Sequence, residues 1–288
     1  MLSSASPSPS SNTSNIQINN TTLSQLFINQ RLIESFLRKS ILLKIIEAAA
    51  SQYTKNYQQT KRPEDTLAAV IVQLPFAYKD FLDSPKELLN LTIDEPIQFM
   101  NAVKYCVYSL IRDFVKQTSS ETGLKSIDIE QVHVQLRFIG LPYQQHLCFD
   151  PSKNLYPTNL CSVLGILTAL TEPEKCVIQT VWFCSTGCLR NKIKKNSTEA
   201  PQCNSCSRSM SEYSKLRSIQ NYHLLRLVPT GFVQTPIILD KVFRAVLVRV
   251  KEHNYNCKLK LGGRYLVTGY YDYNKCGQEF QAWNLINI

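Results

Sequence analysis

Four cysteines carry the clearest chemistry in this sequence. Cys184-Ser-Thr-Gly-Cys188 and Cys203-Asn-Ser-Cys206 form a C-x3-C and a C-x2-C pair separated by 14 residues. Two such knuckles let four thiolates close a tetrahedron around one zinc ion. Four protein ligands leave no open position for a reactive water, so this spacing predicts a structural ion, one per chain. A redox pair at Cys203 and Cys206 is the competing reading, but no thioredoxin-like strand–helix context surrounds them. Four unrelated buried thiols are the plain alternative. The other six cysteines stand singly; Cys106 and Cys161 lie among apolar neighbours and read as small core residues.

No other residues are placed for catalysis. The chain lacks G-x-x-x-x-G-K-[ST], and its Gly262-Gly263 pair reads as a turn between strands. His133, His146, His223 and His253 form no pattern with a nucleophile or a catalytic metal. The expectation is a non-enzyme. Charge carries the second signal. The net charge is +10; residues 1–176 hold 16 basic and 16 acidic residues, whereas residues 177–288 hold 16 against 6. A neutral front and a strongly basic back suggest that the back half meets a polyanion such as DNA, the alternative being a solubilising surface. The run Arg190, Lys192, Lys194 and Lys195 between the knuckles is a phosphate contact or a solvated loop. Arg244, Arg249, Lys251, Lys258, Lys260 and Arg264 are candidate backbone contacts. Tyr265, Tyr270 and Tyr271 either stack bases or pack in the core.

The elements that position these residues fall into an α+β order. Residues 1–20 are Ser, Asn, Thr and Pro with little to bury, and read as a disordered tail. They lack the pattern of a secretory signal, and no stretch has the length and apolarity of a membrane span, so an intracellular protein is expected. From Leu23 to Tyr53 apolar residues recur at helical spacing, and Tyr53 to Asp65 reads as a loop. Leu67–Leu74 is a short apolar run stopped by Pro75. Phe76–Leu89 reads as helical, with Pro85 opening its second part. Asp94-Glu95-Pro96 starts a long helix with the stripe Phe99, Val103, Cys106, Val107, Leu110 and Phe114. Residues 21–122 therefore read as a helical bundle. Beyond Gly123, Val132–Phe138 alternates at period two, and strand-like runs follow at Ser162–Leu170, Val177–Phe183, Tyr222–Val228, Val242–Val250 and Tyr265–Tyr271. Residues 123–288 read as an OB-type barrel interrupted by a zinc ribbon at about 177–221.

This order resembles the N-terminal region of the minichromosome maintenance (MCM) proteins. Val132-His-Val-Gln-Leu-Arg137 followed by Leu141-Pro142 resembles the strand that opens their OB barrel. Leu160 to Pro173, centred on Gly165-Ile-Leu-Thr168, resembles the strand leading to their zinc knuckles. Leu261-Gly-Gly-Arg-Tyr-Leu-Val-Thr-Gly269 resembles a segment near the barrel's end. The resemblance covers roughly residues 65–288. Two departures stand out. The family's ATPase motor does not follow within this sequence, and the stretch matching the family's basic hairpin, Val228 to Thr235, has no Lys or Arg. A front half without a motor is similar to the stand-alone meiotic MCM-like subunit of flies. That resemblance implies a nuclear hetero-oligomer in which MCM-like partners, one with an ATPase-like C-terminal half, join this chain on DNA. Such a complex promotes meiotic crossovers by opposing an anti-crossover helicase. The alternatives are an interaction scaffold without DNA contact, or a zinc/OB single-stranded-DNA-binding subunit of a replication, telomere or transcription complex.

Overall fold

A computed structural model describes residues 20–39, 41–60, 66–122, 127–142, 149, 159–188, 191–230, 243–272 and 279–288. The front half holds helices α1 (Asn20–Lys39), α2 (Leu42–Thr60), α3 (Tyr78–Leu82), α4 (Lys86–Asp94) and α5 (Pro96–Thr122), with strands β1 (Val70–Ala77) and β2 (Val132–Ile139). The back half holds β3 (Cys161–Leu170), β4 (Glu174–Phe183), β5 (Lys192–Lys195), β6 (Ser211–Glu212), β7 (Ser218–Pro229), β8 (Val246–Lys251), β9 (Arg264–Tyr271) and β10 (Phe280–Asn287). The expected tail before Asn20 lies outside the described residues.

The single helical stripe read from Leu23 to Tyr53 is two helices, and the second runs on to Thr60, into the segment read as a loop. Polar residues sustain α2 there because its inner face is still occupied. Tyr53 and Thr54 are buried; the Tyr53 hydroxyl donates to the Thr66 carbonyl at 2.6 Å, and Thr54 Oγ1 donates to the Ala50 carbonyl at 2.9 Å. Pro85 directly precedes α4 and Pro96 begins α5, as their positions in the sequence suggest.

The front half is more than a helical bundle. β1 and β2 form a two-stranded parallel sheet in unbroken register from Val70↔Val132 to Ala77↔Ile139. The strand passes through Pro75 rather than stopping there, since β1 has β2 on one side only and edge strands accept proline. Val70, Val72, Leu74 and Phe76 alternate inward with Val132, Leu136 and Phe138, and share one core with the helices. Within it Phe81 touches Phe36, Phe76, Phe99 and Phe138. β2 therefore does not open the barrel, as its text suggested. It is bonded to β1 instead, because only that pairing buries both strands' apolar faces against the helices.

The barrel is closed by five strands in the order β3-β9-β10-β8-β7, with β7 returning to β3. Val163, Leu167, Leu225, Leu227, Val246, Val248, Val250, Tyr265, Val267 and Phe280 fill its interior. Gly269 allows β9 and β10 to meet: a Cβ there would stand 2.2 Å from the Gln281 carbonyl oxygen. β10 was not visible as a strand in the sequence, because its register shifts between Ala282 and Asn284 and the period of two is lost.

The polar face of β2 ties this barrel to the front half. His133 Nε2 lies 2.8 Å from Gln179 Oε1 on β4, and Gln179 Nε2 donates to the Leu67 carbonyl at 3.0 Å. Arg137 Nε donates to Asn284 Oδ1 on β10 at 3.0 Å. Two histidines at this joint are held neutral. Burial lowers the pKa of His133, and burial with Lys251 and Arg137 nearby lowers His253 to about 3. Below the ordinary value of 6.5, the unfolded chain binds protons that the folded chain refuses. Stability should therefore fall as pH drops from about 6.5 toward about 3. Replacing His253 by Gln should flatten that decline by up to about 1.4 kcal/mol per pH unit. Urea unfolding of the two proteins at pH 6.5, 5.5 and 4.5 measures the difference.

Candidate metal centre and basic surfaces

β4 outruns the barrel. Its first part pairs with β7 from Glu174↔Tyr222 to Gln179↔Ser218, and its end carries β5 and β6 away from the barrel as a ribbon. Cys184 follows directly on β4. A turn in which the Gly187 N–H donates to the Cys184 carbonyl at 3.2 Å brings Cys188 round, and Gly187 takes the left-handed φ of +81° that this knuckle requires. The second knuckle is closed by Cys203 N–H to the Arg208 carbonyl and Ser207 N–H to the Cys203 carbonyl, both at 2.8 Å. Lys192 on β5 braces it, its Nζ donating to the Gln202 carbonyl at 2.5 Å and to Asn204 Oδ1 at 2.6 Å.

All four sulfurs lie within 4.8 Å of one another, with Cys184 and Cys206 at 3.5 Å. Tetrahedral zinc–thiolate bonds of about 2.3 Å place sulfurs roughly 3.8 Å apart, so the donor set and its spacing fit zinc. Trp182 and Met210 pack with Cys184 and Cys203 into a small core of their own. Sequence reasoning missed Thr186, whose hydroxyl lies 2.9 Å from Cys184 Sγ, 3.4 Å from Cys206 Sγ and 3.7 Å from Cys188 Sγ. Hydrogen bonds from the Thr186 hydroxyl and backbone lower Cys184 to about 6. Backbone N–H groups of Ser205 and Cys206 lower Cys203. Against a lowering by the Thr186 hydroxyl, the bonds to Cys184, Cys203 and Cys206 raise Cys188 to about 11. Four thiolates this close repel one another, and a divalent cation between them is what makes them compatible.

The predicted DNA contacts divide sharply. Lys195 is spent inside the protein: its Nζ reaches Glu130 Oε2 at 3.3 Å and the Ile129 carbonyl at 3.2 Å. Burial, with the Lys104 ammonium nearby, pushes its pKa down to about 8. It fastens the ribbon to the front half and is not an open phosphate contact. Lys192 serves the second knuckle, and Lys194 Nζ lies 3.4 Å from the Glu199 carbonyl. Arg249 is paired with Glu279 at 2.7 and 3.2 Å and lies over the Tyr222 ring at 4.3 Å. Arg244 is half-buried, and its backbone N–H donates to the Phe149 carbonyl at 3.1 Å. Tyr265, Tyr270 and Tyr271 are buried in packing, so no base stacks on them. Lys251, Lys258, Lys260 and Arg264 are exposed. Arg226, missed in the sequence, is exposed on β7 opposite Leu247, on the same outer face of β7–β8 as Lys251. Arg190 and residues 231–235 of the hairpin segment lie outside the described residues.

A closed five-stranded OB-type barrel, a helical front half and a four-cysteine ribbon between barrel strands define the class of fold. The chain shares it with the crystal structure of the N-terminal domain of an archaeal MCM, at a TM-score of 0.56 and 14% identity over 91% of this chain and 99% of that one. No protein-family model matches the sequence, and no curated protein matches it. On the fit of the four sulfurs, elemental analysis of purified protein should give about one zinc per chain. Cys203→Ser should lose that metal and open residues 184–216 to proteolysis, while the barrel remains folded by circular dichroism.

Proposed function

We propose that this chain is a non-catalytic MCM-like subunit that assembles with an ATPase-bearing MCM-like partner and contacts DNA through its barrel. One observation carries the reading. The helical front half, the ribbon inserted after β4 and the remaining barrel strands follow one another along 91% of the chain in the fold of an archaeal MCM N-terminal domain. Cys184, Cys188, Cys203 and Cys206 would hold a zinc ion as a staple, with no catalytic role. The finer reading is a nuclear hetero-oligomer that promotes meiotic crossovers by opposing an anti-crossover helicase. It rests on the resemblance to the stand-alone meiotic MCM-like subunit of flies alone.

DNA contact is assigned first to Arg226 and Lys251, which leave one outer barrel face in a half of the chain that carries the whole charge excess. The absence of Lys and Arg from Val228 to Thr235 favours a second reading, a scaffold that docks a motor-bearing partner without touching DNA. Titration of labelled single-stranded DNA at 50 to 200 mM salt separates the two. Salt-dependent binding should appear, and the double variant Arg226→Glu/Lys251→Glu should weaken it and reduce the salt slope by about one to two. Salt-independent or absent binding leaves the scaffold. Affinity purification with mass spectrometry tests assembly: an MCM-like ATPase should co-purify, and polymerase or telomere subunits in its place would overturn the assignment.

A further inference from the structure

The outer face of β3, β9 and β10 breaks the rule that a solvated sheet face is polar. Its side chains lie in cross-strand rows. The row Ser162–Thr268–Asn284 is in register and buried beneath the front half. Ser162 Oγ lies 2.7 Å from Thr268 Oγ1 and donates to the Leu141 carbonyl at 3.3 Å, and Asn284 accepts from Arg137. The next row outward is Leu164–Leu266–Ile286, again in register, and there the face emerges from cover with Ile286 39% exposed. Beyond it stands Arg264, whose carbonyl accepts the Ile288 N–H at 3.0 Å, with Ile288 68% exposed. Tyr270 and Trp283 of the same strands also lie under the front half, within its core, and the aliphatic row marks where that cover ends.

Cations cluster in the chain at the start of β9. Arg264 stands in it, and the exposed Lys258 and Lys260 lie on the segment that leads into β9. None of β3, β9 or β10 carries an acidic residue. We infer that the face formed by Leu164, Leu266, Ile286 and Ile288, with the cations at the start of β9, docks a segment of another protein that presents aliphatic side chains flanked by carboxylates. The inference is independent of DNA contact at Arg226 and Lys251. Charge complementarity selects this occupant. A second copy of the chain in two-fold apposition would set Arg264, Lys258 and Lys260 against their own equivalents, in a protein of net charge +10. Nucleic acid would find phosphate partners but no base platform, since single strands are held by stacking on aromatics. Tyr265, Tyr270, Tyr271, Phe280 and Trp283 on these strands are all buried.

The test selects 16-residue peptides from a random display library on the full-length chain. It then measures each winner by fluorescence anisotropy on two variants, Ile286→Ser/Ile288→Ser and Lys258→Glu/Lys260→Glu. All four positions are exposed, so thermal melts of both variants should match the parent, and Ile286→Val should retain binding. The expected result is enrichment of peptides that combine Leu, Ile or Val with Asp or Glu, bound at least tenfold more weakly by each variant. No enrichment, enrichment without acidic residues, or equal binding to the serine variant overturns the proposal. Two further outcomes also overturn it by naming a different occupant. One is single-stranded DNA binding lost in Ile286→Ser/Ile288→Ser, and the other is a parent dimer by sedimentation that this variant splits.

Discussion

Strand β2 has two faces that belong to different halves of the protein, and the architecture rests on that division. Its apolar side, with Val132, Leu136 and Phe138, completes the core beneath the helices. Its other side offers His133 to Gln179 on the strand that becomes the ribbon, and Arg137 to Asn284 on the last barrel strand. Hydrogen bonds in a partly buried joint fix orientation in a way that apolar contact does not, because a missed partner leaves a desolvated polar group. A short parallel sheet would be marginal alone. Clamped between helices and barrel, it sets the angle at which the ribbon leaves.

The ribbon depends on that clamp and on its own ion site. Apart from Trp182, Met210 and the cysteines, it buries little that is apolar. Lys195 reaches back to Glu130, and Lys192 reaches across to the second knuckle. These are single polar braces on an element held otherwise by the β4–β5 and β4–β6 pairings and by four sulfurs gathered within 4.8 Å. Four thiolates in such a cluster repel one another without a cation and are stabilised by one, so metal binding and ribbon folding become the same free energy.

The sequence revealed the knuckles, their insertion among barrel strands and most of those strands, because each is a local pattern of spacing or alternation. It concealed whatever depends on a distant partner. Val70–Ala77 and Val132–Ile139 lie far apart in the chain, and neither run announces that the two form a parallel pair. Pro75 looked like a terminator because its edge position is a tertiary fact. The bulge at Ala282–Asn284 erased the period that would have marked β10. Charge misled for a similar reason. Lys195 and Arg249 are as basic on paper as Lys258 and Arg264, yet Glu130 and Glu279 neutralise them in the fold.

That neutralisation changes how the net charge should be understood. An excess of cations in residues 177–288 is a long-range field, and a field attracts any polyanion without selecting one. Selection comes from what lies beside each exposed cation. Arg226 and Lys251 sit on an outer barrel face with Leu247, Arg249 and Tyr222, where a phosphate backbone can be tracked. Arg264 stands at the end of in-register aliphatic rows that offer a nucleic-acid base nothing to stack on, with Lys258 and Lys260 just before it in the chain. The same charge thus serves two surfaces of different chemistry on one barrel. On the proposed reading one face would meet DNA and the other a partner protein, and the neighbours of each cation, not its charge, would make that division.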